Sequence, residues 1–201
     1  MLKGRHIDIM GIVNLTDDSF YAESRCLNLE AVLEKAGQMV AEGATILDFG
    51  ASSSRPGSEP VGPEEEWKRL EPALSAVKKR WPGIEISIDT TWSSVVSRAY
   101  DLVGDIWVND ISSGNDDPQM LPLVGTLGLK YIAMHRRGDS KTMQSMTDYE
   151  DVVEDVIAFF KDFAVRAAEN GVRNWILDPG FGFAKTVSQN YQMMRNLRRF
   201  R

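Results

Sequence analysis

Trp175-Ile176-Leu177-Asp178-Pro179-Gly180-Phe181-Gly182-Phe183-Ala184-Lys185-Thr186 is the stretch that decides the fold. A short apolar run ends in a carboxylate, glycines follow, and a helical pattern comes next. The same grammar stands at Ile84-Glu85-Ile86-Ser87-Ile88-Asp89 and at Asp105-Ile106-Trp107-Val108-Asn109-Asp110. Each time a buried-strand signal delivers a polar side chain at its C-terminal end. Polar groups gathered at the C-terminal ends of successive parallel strands are how an α/β barrel builds an active site.

Working outward, the whole chain reads as six strand-then-helix units. Strands are expected near 7–13, 45–49, 84–88, 106–108, 131–134 and 175–177. Helices are expected near 29–42, 64–80, 93–102, 118–125, 149–170 and from 188 onward. Gly43, Trp81-Pro82-Gly83 and Gly171 supply the stops. Strands alternating with helical patterns require crossover connections and hence a parallel sheet. An eight-unit barrel takes about 250 residues, and the last helical pattern runs into Arg201 with no glycine or proline to end it. The pattern alone leaves two readings open: an open doubly wound sheet, or a barrel whose last two units are absent.

Composition sets the class. With 201 residues, 43% hydrophobic and 26% charged, the chain has enough length for a real core. A net charge of −6 argues against a nucleic-acid or anionic-membrane surface, while leaving room for a local basic pocket. Cys26 is the only cysteine, so no intrachain disulfide forms and a reducing cytoplasm fits. No apolar run approaches the roughly 20 residues of a membrane span, and the N-terminus lacks a signal-peptide h-region. Two histidines, His6 and His135, with no HExxH and no cysteine pair, speak against a protein-held zinc site.

Two loops carry chemistry on their own composition. After the first strand, Asn14 could offer an amide oxygen to a hard cation such as Mg²⁺, which keeps few protein ligands when a substrate phosphate supplies the rest. A plain turn residue is the alternative. After the second strand, Asp48-Phe49-Gly50-Ala51-Ser52-Ser53-Ser54-Arg55-Pro56-Gly57 sets three hydroxyls and an arginine beside a strand end. That is either an anion-binding loop, with a guanidinium fork for phosphate oxygens, or a flexible connection. Glu64-Glu65-Glu66 reads as acids complementing a helix dipole. GFGFAKT resembles a phosphate loop, but GxxxxGK[ST] demands glycine where Ala184 stands, so that reading is rejected. Lys185 is expected at a helix start near the site.

Six segments together resemble dihydropteroate synthase, within the pterin-binding enzymes. They are MGIVNLTDDSF at Met10–Phe20, DFGASSSRPGSEPV at Asp48–Val61, SIDTTWSSV at Ser87–Val95, VNDISSG at Val108–Gly114, MHRRGDSKTMQ at Met134–Gln144 and LDPGFGFAKT at Leu177–Thr186. They occur in family order across the entire chain. The resemblance implies a single TIM (β/α)8-type barrel domain over 1–201 with six of its units present. It implies that Asp89, Asn109 and Asp178 bind the pterin ring, with Met134, Ile111 and Phe183 as the apolar positions around it. Gly182, Phe20 and Pro56 fall on further substrate-binding positions. Asn14 matches the position that binds Mg²⁺ and the substrate's pyrophosphate, and Ser54 and Arg55 the pair that engages pyrophosphate and the incoming amine. Helix-capping or structural acids are the rival reading for Asp89 and Asp178. His135 is expected to be structural or peripheral.

The implied reaction joins 6-hydroxymethyl-7,8-dihydropterin pyrophosphate to p-aminobenzoate, giving 7,8-dihydropteroate and pyrophosphate in folate biosynthesis, a sulfonamide target. A cytoplasmic setting and a homodimer of the full-length protein go with it. Family chains usually have Pro at Asp17, Glu at Ser52 and Thr at Ser54. Their Ser-Arg-Lys and Arg-x-His segments, after the seventh and eighth strands, have no counterpart here. The isolated chain is therefore expected to be weakly active or inactive, with an open edge at the sixth strand. The rival functions are a methyltetrahydrofolate–corrinoid methyltransferase and a non-catalytic pterin-binding protein.

Overall fold

The computed structural model describes residues 7–15, 25–52 and 61–200, without the side chains of 25–28. The elements alternate without exception: β1 Met10–Asn14, α1 Arg25–Ala41, β2 Ile46–Gly50, α2 Pro63–Arg80, β3 Glu85–Asp89, α3 Ser93–Val103, β4 Trp107–Asp110, α4 Met120–Leu127, β5 Lys130–Met134, α5 Val152–Glu169, β6 Asn174–Asp178 and α6 Val187–Arg195. The strands form one sheet in the order β1-β2-β3-β4-β5-β6, every pair parallel. Right-handed crossovers between sequential neighbours put every helix on the same face. A doubly wound sheet reverses its strand order and carries helices on both faces. The winding is thus that of a (β/α)8-type barrel, with six units described.

The side chains sort the same way. Because successive strand residues face opposite sides, the buried core takes alternate positions: Leu47 and Phe49, Ile86 and Ile88, Val108, Tyr131 and Ala133. They pack against Val32 and Ala36 of α1, Leu70, Leu74 and Val77 of α2, Val95 and Ala99 of α3, and Phe160 and Phe163 of α5. The intervening positions form the concave face, which carries Asp48, Ser87, Asp89, Asn109 and Asp178 among apolar neighbours such as Ile12, Ile176 and Met134. Near its floor Glu85 accepts hydrogen bonds from Trp107 Nε1 and Lys130 Nζ, linking β3, β4 and β5. Among the described residues β1 and β6 each pair on one side only, and Ile12 and Ile176 on their concave faces are exposed.

Two helix boundaries are set by local chemistry. Helix α5 starts after Tyr149, because Asp151 is its cap and accepts from the backbone N–H groups of Val153 (2.8 Å) and Glu154 (3.2 Å). The last helix does not run on to Arg201: α6 ends at Arg195, followed by a 3-10 turn over Leu197–Phe200. Its start is a capping box between Thr186 and Gln189. Among the described residues no helix is long and apolar enough to cross a membrane.

Candidate active site

Asp89 ends β3 on the concave face, in register with Gly50 on one side and Asn109 on the other. Gly50 makes room for it: a Cβ there would lie 3.0 Å from Asp89 Oδ2. One row deeper, the buried Asp48 accepts a 3.0 Å hydrogen bond from Asn109 Nδ2. With its nitrogen committed, the Asn109 carboxamide leaves its oxygen for a ligand. Burial, and then the negative charges of Asp48, Glu66 and Asp110, push the Asp89 carboxyl well above the ordinary carboxylate range. A carboxyl held in that state gains most from a partner that donates to its charged form.

Beside Asp89 lies a cleft of about 320 Å³, walled in part by Glu66, Thr90, Trp92, Ile111 and Phe183. Ile111 is presented by the turn after β4, which Asp110 pins by accepting from the N–H groups of Ser112 (2.7 Å) and Gly114 (2.8 Å) and from the Tyr131 hydroxyl (2.6 Å). Elsewhere on the wall Arg136 donates to Asp116 at 2.6 Å. Apolar walls with a few converging polar groups suit a flat heterocycle.

The loop after β6 supplies the opposite side of the mouth. Asp178 ends β6 half-buried, its Oδ1 accepting from Gly180 N at 2.8 Å. Gly180 has φ 68°, and a Cβ on it would sit 2.1 Å from the His135 carbonyl, so only glycine fits this approach of β6 to β5. Lys185 fastens the loop from within. Its buried Nζ donates to the carbonyls of Gly180 and Phe183, each at 3.0 Å, and lies 2.9 Å from His135 Nδ1. Burial foremost holds the Lys185 ammonium down to about 8 and the His135 imidazole down to about 3. His135 is therefore a neutral acceptor, packed edge-on to Phe159.

Of the residues singled out from sequence, Asn14, Asp89, Asn109, Met134 and Asp178 share the concave face at the C-terminal ends of five strands. Asp89, Ile111 and Phe183 line the cleft, while Asn109, Met134, Asp178 and Gly182 do not form its wall. Met134 is 3% exposed, Gly182 and Asn14 are exposed, and Asp178 is partly engaged by its own turn, as the structural-acid reading anticipates. Phe20, Ser54, Arg55 and Pro56 lie outside the described residues.

Sequence reasoning missed three residues. Glu64 and Glu65 do pair outward, with Arg98 and Arg69, but Glu66 is corrected: it is buried at the cleft rather than complementing a dipole at the surface. Its spacing to Leu70, Ala73 and Val77 puts it on the apolar stripe of α2, a signal legible in the sequence. Asp48 orients Asn109, and its alternation with Gly50 marks it as concave. The clasp made by Lys185 had no sequence signal beyond proximity.

Parallel strands bring acids and a carboxamide to one mouth, the arrangement in which α/β barrels place a site. The chain belongs to the pterin binding enzyme family, whose profile matches residues 10–201. It is similar to the dihydropteroate synthase of Synechocystis, 39% identical over 196 residues that cover 96% of this chain and 67% of the relative. It is 41% identical over 191 residues to the folic acid synthesis protein fol1 of Schizosaccharomyces pombe, covering 94% of this chain and 26% of that protein. Among solved structures, the Clostridium difficile dihydropteroate synthase in the presence of pteroic acid matches with a TM-score of 0.87 at 34% identity, covering 99% of this chain and 74% of that one. The chain thus spans about two thirds of the Synechocystis protein and about a quarter of the fungal one.

Proposed function

We propose that this chain condenses 6-hydroxymethyl-7,8-dihydropterin pyrophosphate with p-aminobenzoate, forming 7,8-dihydropteroate and pyrophosphate. The observation that carries the reading is the concave-face set of Asp89, Asn109 and Asp178 beside an apolar cleft. The Clostridium difficile relative was solved in the presence of pteroic acid, the same pterin–aminobenzoate skeleton.

In this reading the ring's N–H and amino donors meet the carboxylates, and Asn109, oriented by Asp48, offers its oxygen. Ile111, Phe183 and Met134 keep water from the ring. The C–O bond to pyrophosphate breaks with its electron pair leaving on oxygen, the amine nitrogen bonds to the pterin methylene, and the amine gives up a proton. Negative charge on Asp89 and Asp178 favours the cationic methylene that develops between these events. Ser54 and Arg55 are assigned to the pyrophosphate and the incoming amine, and Phe20 and Pro56 to substrate binding.

Asn14 is assigned to Mg²⁺. Among the described residues no group of three or more His, Cys, Asp or Glu side chains could hold a metal. A single exposed amide oxygen fits an ion that takes its other ligands from pyrophosphate and water. Bound there, Mg²⁺ would offset charge on the leaving pyrophosphate. A cytoplasmic setting and a homodimer complete the proposal.

The test is calorimetric titration of pteroic acid into the chain and into Asp89→Asn and Asp178→Asn. Each substitution is expected to nearly abolish binding. Unchanged affinity in either variant would overturn the pocket assignment.

A further inference from the structure

Glu66 is the buried acid that the reaction above leaves without a role. It stands in the first turn of α2, where acids ordinarily face water, yet it is 1% exposed. Its side chain forms part of the cleft wall with Asp89 and Thr90. Its Oε1 has no hydrogen-bond partner among the described residues, and Thr90 stands beside it on the cleft wall. Leaving a buried acceptor unpaired costs about 1–3 kcal/mol, so what completes this oxygen is a proton or a donor entering the cleft.

Among the described residues, the basic groups around it are engaged elsewhere, and Asp139 adds a further acid to the wall. On its own helix Arg69 attracts it, but that guanidinium also donates to Glu65 (3.1 Å) and to the Ala51 carbonyl (3.1 Å). From α3, Arg98 is taken by Glu64. On the cleft wall Arg136 is taken by Asp116. Among the described residues, the strand ends beside it present acids: Asp89 on β3, with Asp48 on β2 and Asp110 on β4 acting on Asp89. Glu66 and Asp89 wall the same cleft, and the Glu66 charge raises the Asp89 carboxyl. Two buried carboxyls that feel one another do not both ionise cheaply, and they titrate as a pair.

We propose that Glu66 is a positioning residue for pterin binding: Asp89 and Glu66 share one proton, and the binding-competent pair keeps that proton on Glu66 so that Asp89 meets the ring as an anion. The inference rests on the pterin reading above. Ring N–H donors aimed at Asp89 fix the negative charge there, which leaves Glu66 as the neutral acid, its proton completing the orphaned oxygen. Burial raises both carboxyls, Glu66 to about 7 and Asp89 well above its ordinary range, so it is the ring's donors that settle the proton on Glu66.

The consequence is an alkaline limit on binding. Once pH strips the shared proton, the site carries two adjacent anions and affinity falls by up to about tenfold per pH unit. Glu66→Gln mimics the neutral acid permanently and should lack that limb. The experiment is titration of pteroic acid from pH 6 to 9 into wild type, Glu66→Gln, Glu66→Leu and Glu66→Asp, with thermal melts confirming folding. Ionisation of the ligand weakens binding to all four proteins alike, so the reading is the difference between profiles. Wild-type affinity is expected to fall roughly tenfold more than that of Glu66→Gln between pH 7 and 9. Glu66→Leu should share the flat profile, and Glu66→Asp should restore the limb. Wild type that binds with a profile parallel to Glu66→Gln or Glu66→Leu overturns this inference and leaves the functional reading intact. Wild type that binds no pteroic acid at any pH overturns both.

Discussion

Adding one methyl group at Gly50 should weaken pterin binding without unfolding the protein. An ideal Cβ on Gly50 lies 3.0 Å from Asp89 Oδ2 and 3.3 Å from Asp89 Cβ. The carboxylate must therefore give way by a few tenths of an ångström. Gly50 is not among the positive-φ glycines, so alanine fits the backbone, and the lost freedom of the unfolded chain returns about 0.4–1 kcal/mol. Stability is thereby nearly balanced, and the cost falls on how Asp89 is aimed. A hydrogen bond to a charged group is worth about 1.5–3 kcal/mol. Losing a third to a half of one such bond amounts to about 1 kcal/mol, or a fivefold to tenfold rise in Kd. Titration of pteroic acid into Gly50→Ala, with a melt in parallel, measures both quantities. The expected result is a Kd raised about fivefold to tenfold and a Tm within about 3 °C of wild type. A Kd within twofold of wild type would refute the reasoning that Asp89 needs this space.

Three further outcomes follow from the same geometry. Lys185→Met removes the donor that holds the Gly180 and Phe183 carbonyls but also relieves a buried ammonium, so stability should shift by only about 1–2 kcal/mol while pteroic acid affinity drops about tenfold; thermal melts and calorimetry separate the two. His135, held down to about 3 in the fold against about 6.5 unfolded, contributes stability that is fully present above about pH 6.5 and lost as pH falls toward 3. The raised carboxyls of Asp48, Glu66 and Asp110 work in the opposite sense. Urea titrations should therefore show His135→Gln losing about 2 kcal/mol less than wild type between pH 6.5 and 4.5. Asp151→Ala should remove the α5 cap at a cost of about 1 kcal/mol, lowering Tm by about 2–4 °C, with pteroic acid affinity unchanged.

The fold was legible because its signals are local. Ile84–Ile88 and Trp175–Leu177 are hydrophobic runs too short for helices, and Trp81-Pro82-Gly83 and Gly171 stop the helices before them. The strand order was not legible in the pattern, because right-handed crossovers also build doubly wound sheets; the resemblance pointed to sequential winding. Boundaries blurred where a side chain belongs to the packing but not to the helix. Tyr149 packs against the core and so mimics helical periodicity, although the chain enters α5 only at the Asp151 cap. The strand-end polar residues of the site were legible for the same reason as the fold, since a polar side chain ending a buried run has to face the mouth. Glu66 was not, because three consecutive acids look solvated until the third is counted onto the Leu70–Val77 stripe. Lys185 was not, because its partners are backbone carbonyls brought together only by the β5–β6 approach. Phe20, Ser54, Arg55 and Pro56 rest on resemblance, lying outside the described residues.

The most direct measurement is a crystal structure of this chain with pteroic acid bound. The account predicts the pterin edge at the C-terminal mouth of the strands, within hydrogen-bond reach of the Asp89 and Asp178 carboxylates and the Asn109 carboxamide oxygen, with Ile111 and Phe183 against the ring. A ring lodged elsewhere, or one that meets neither aspartate, would contradict it.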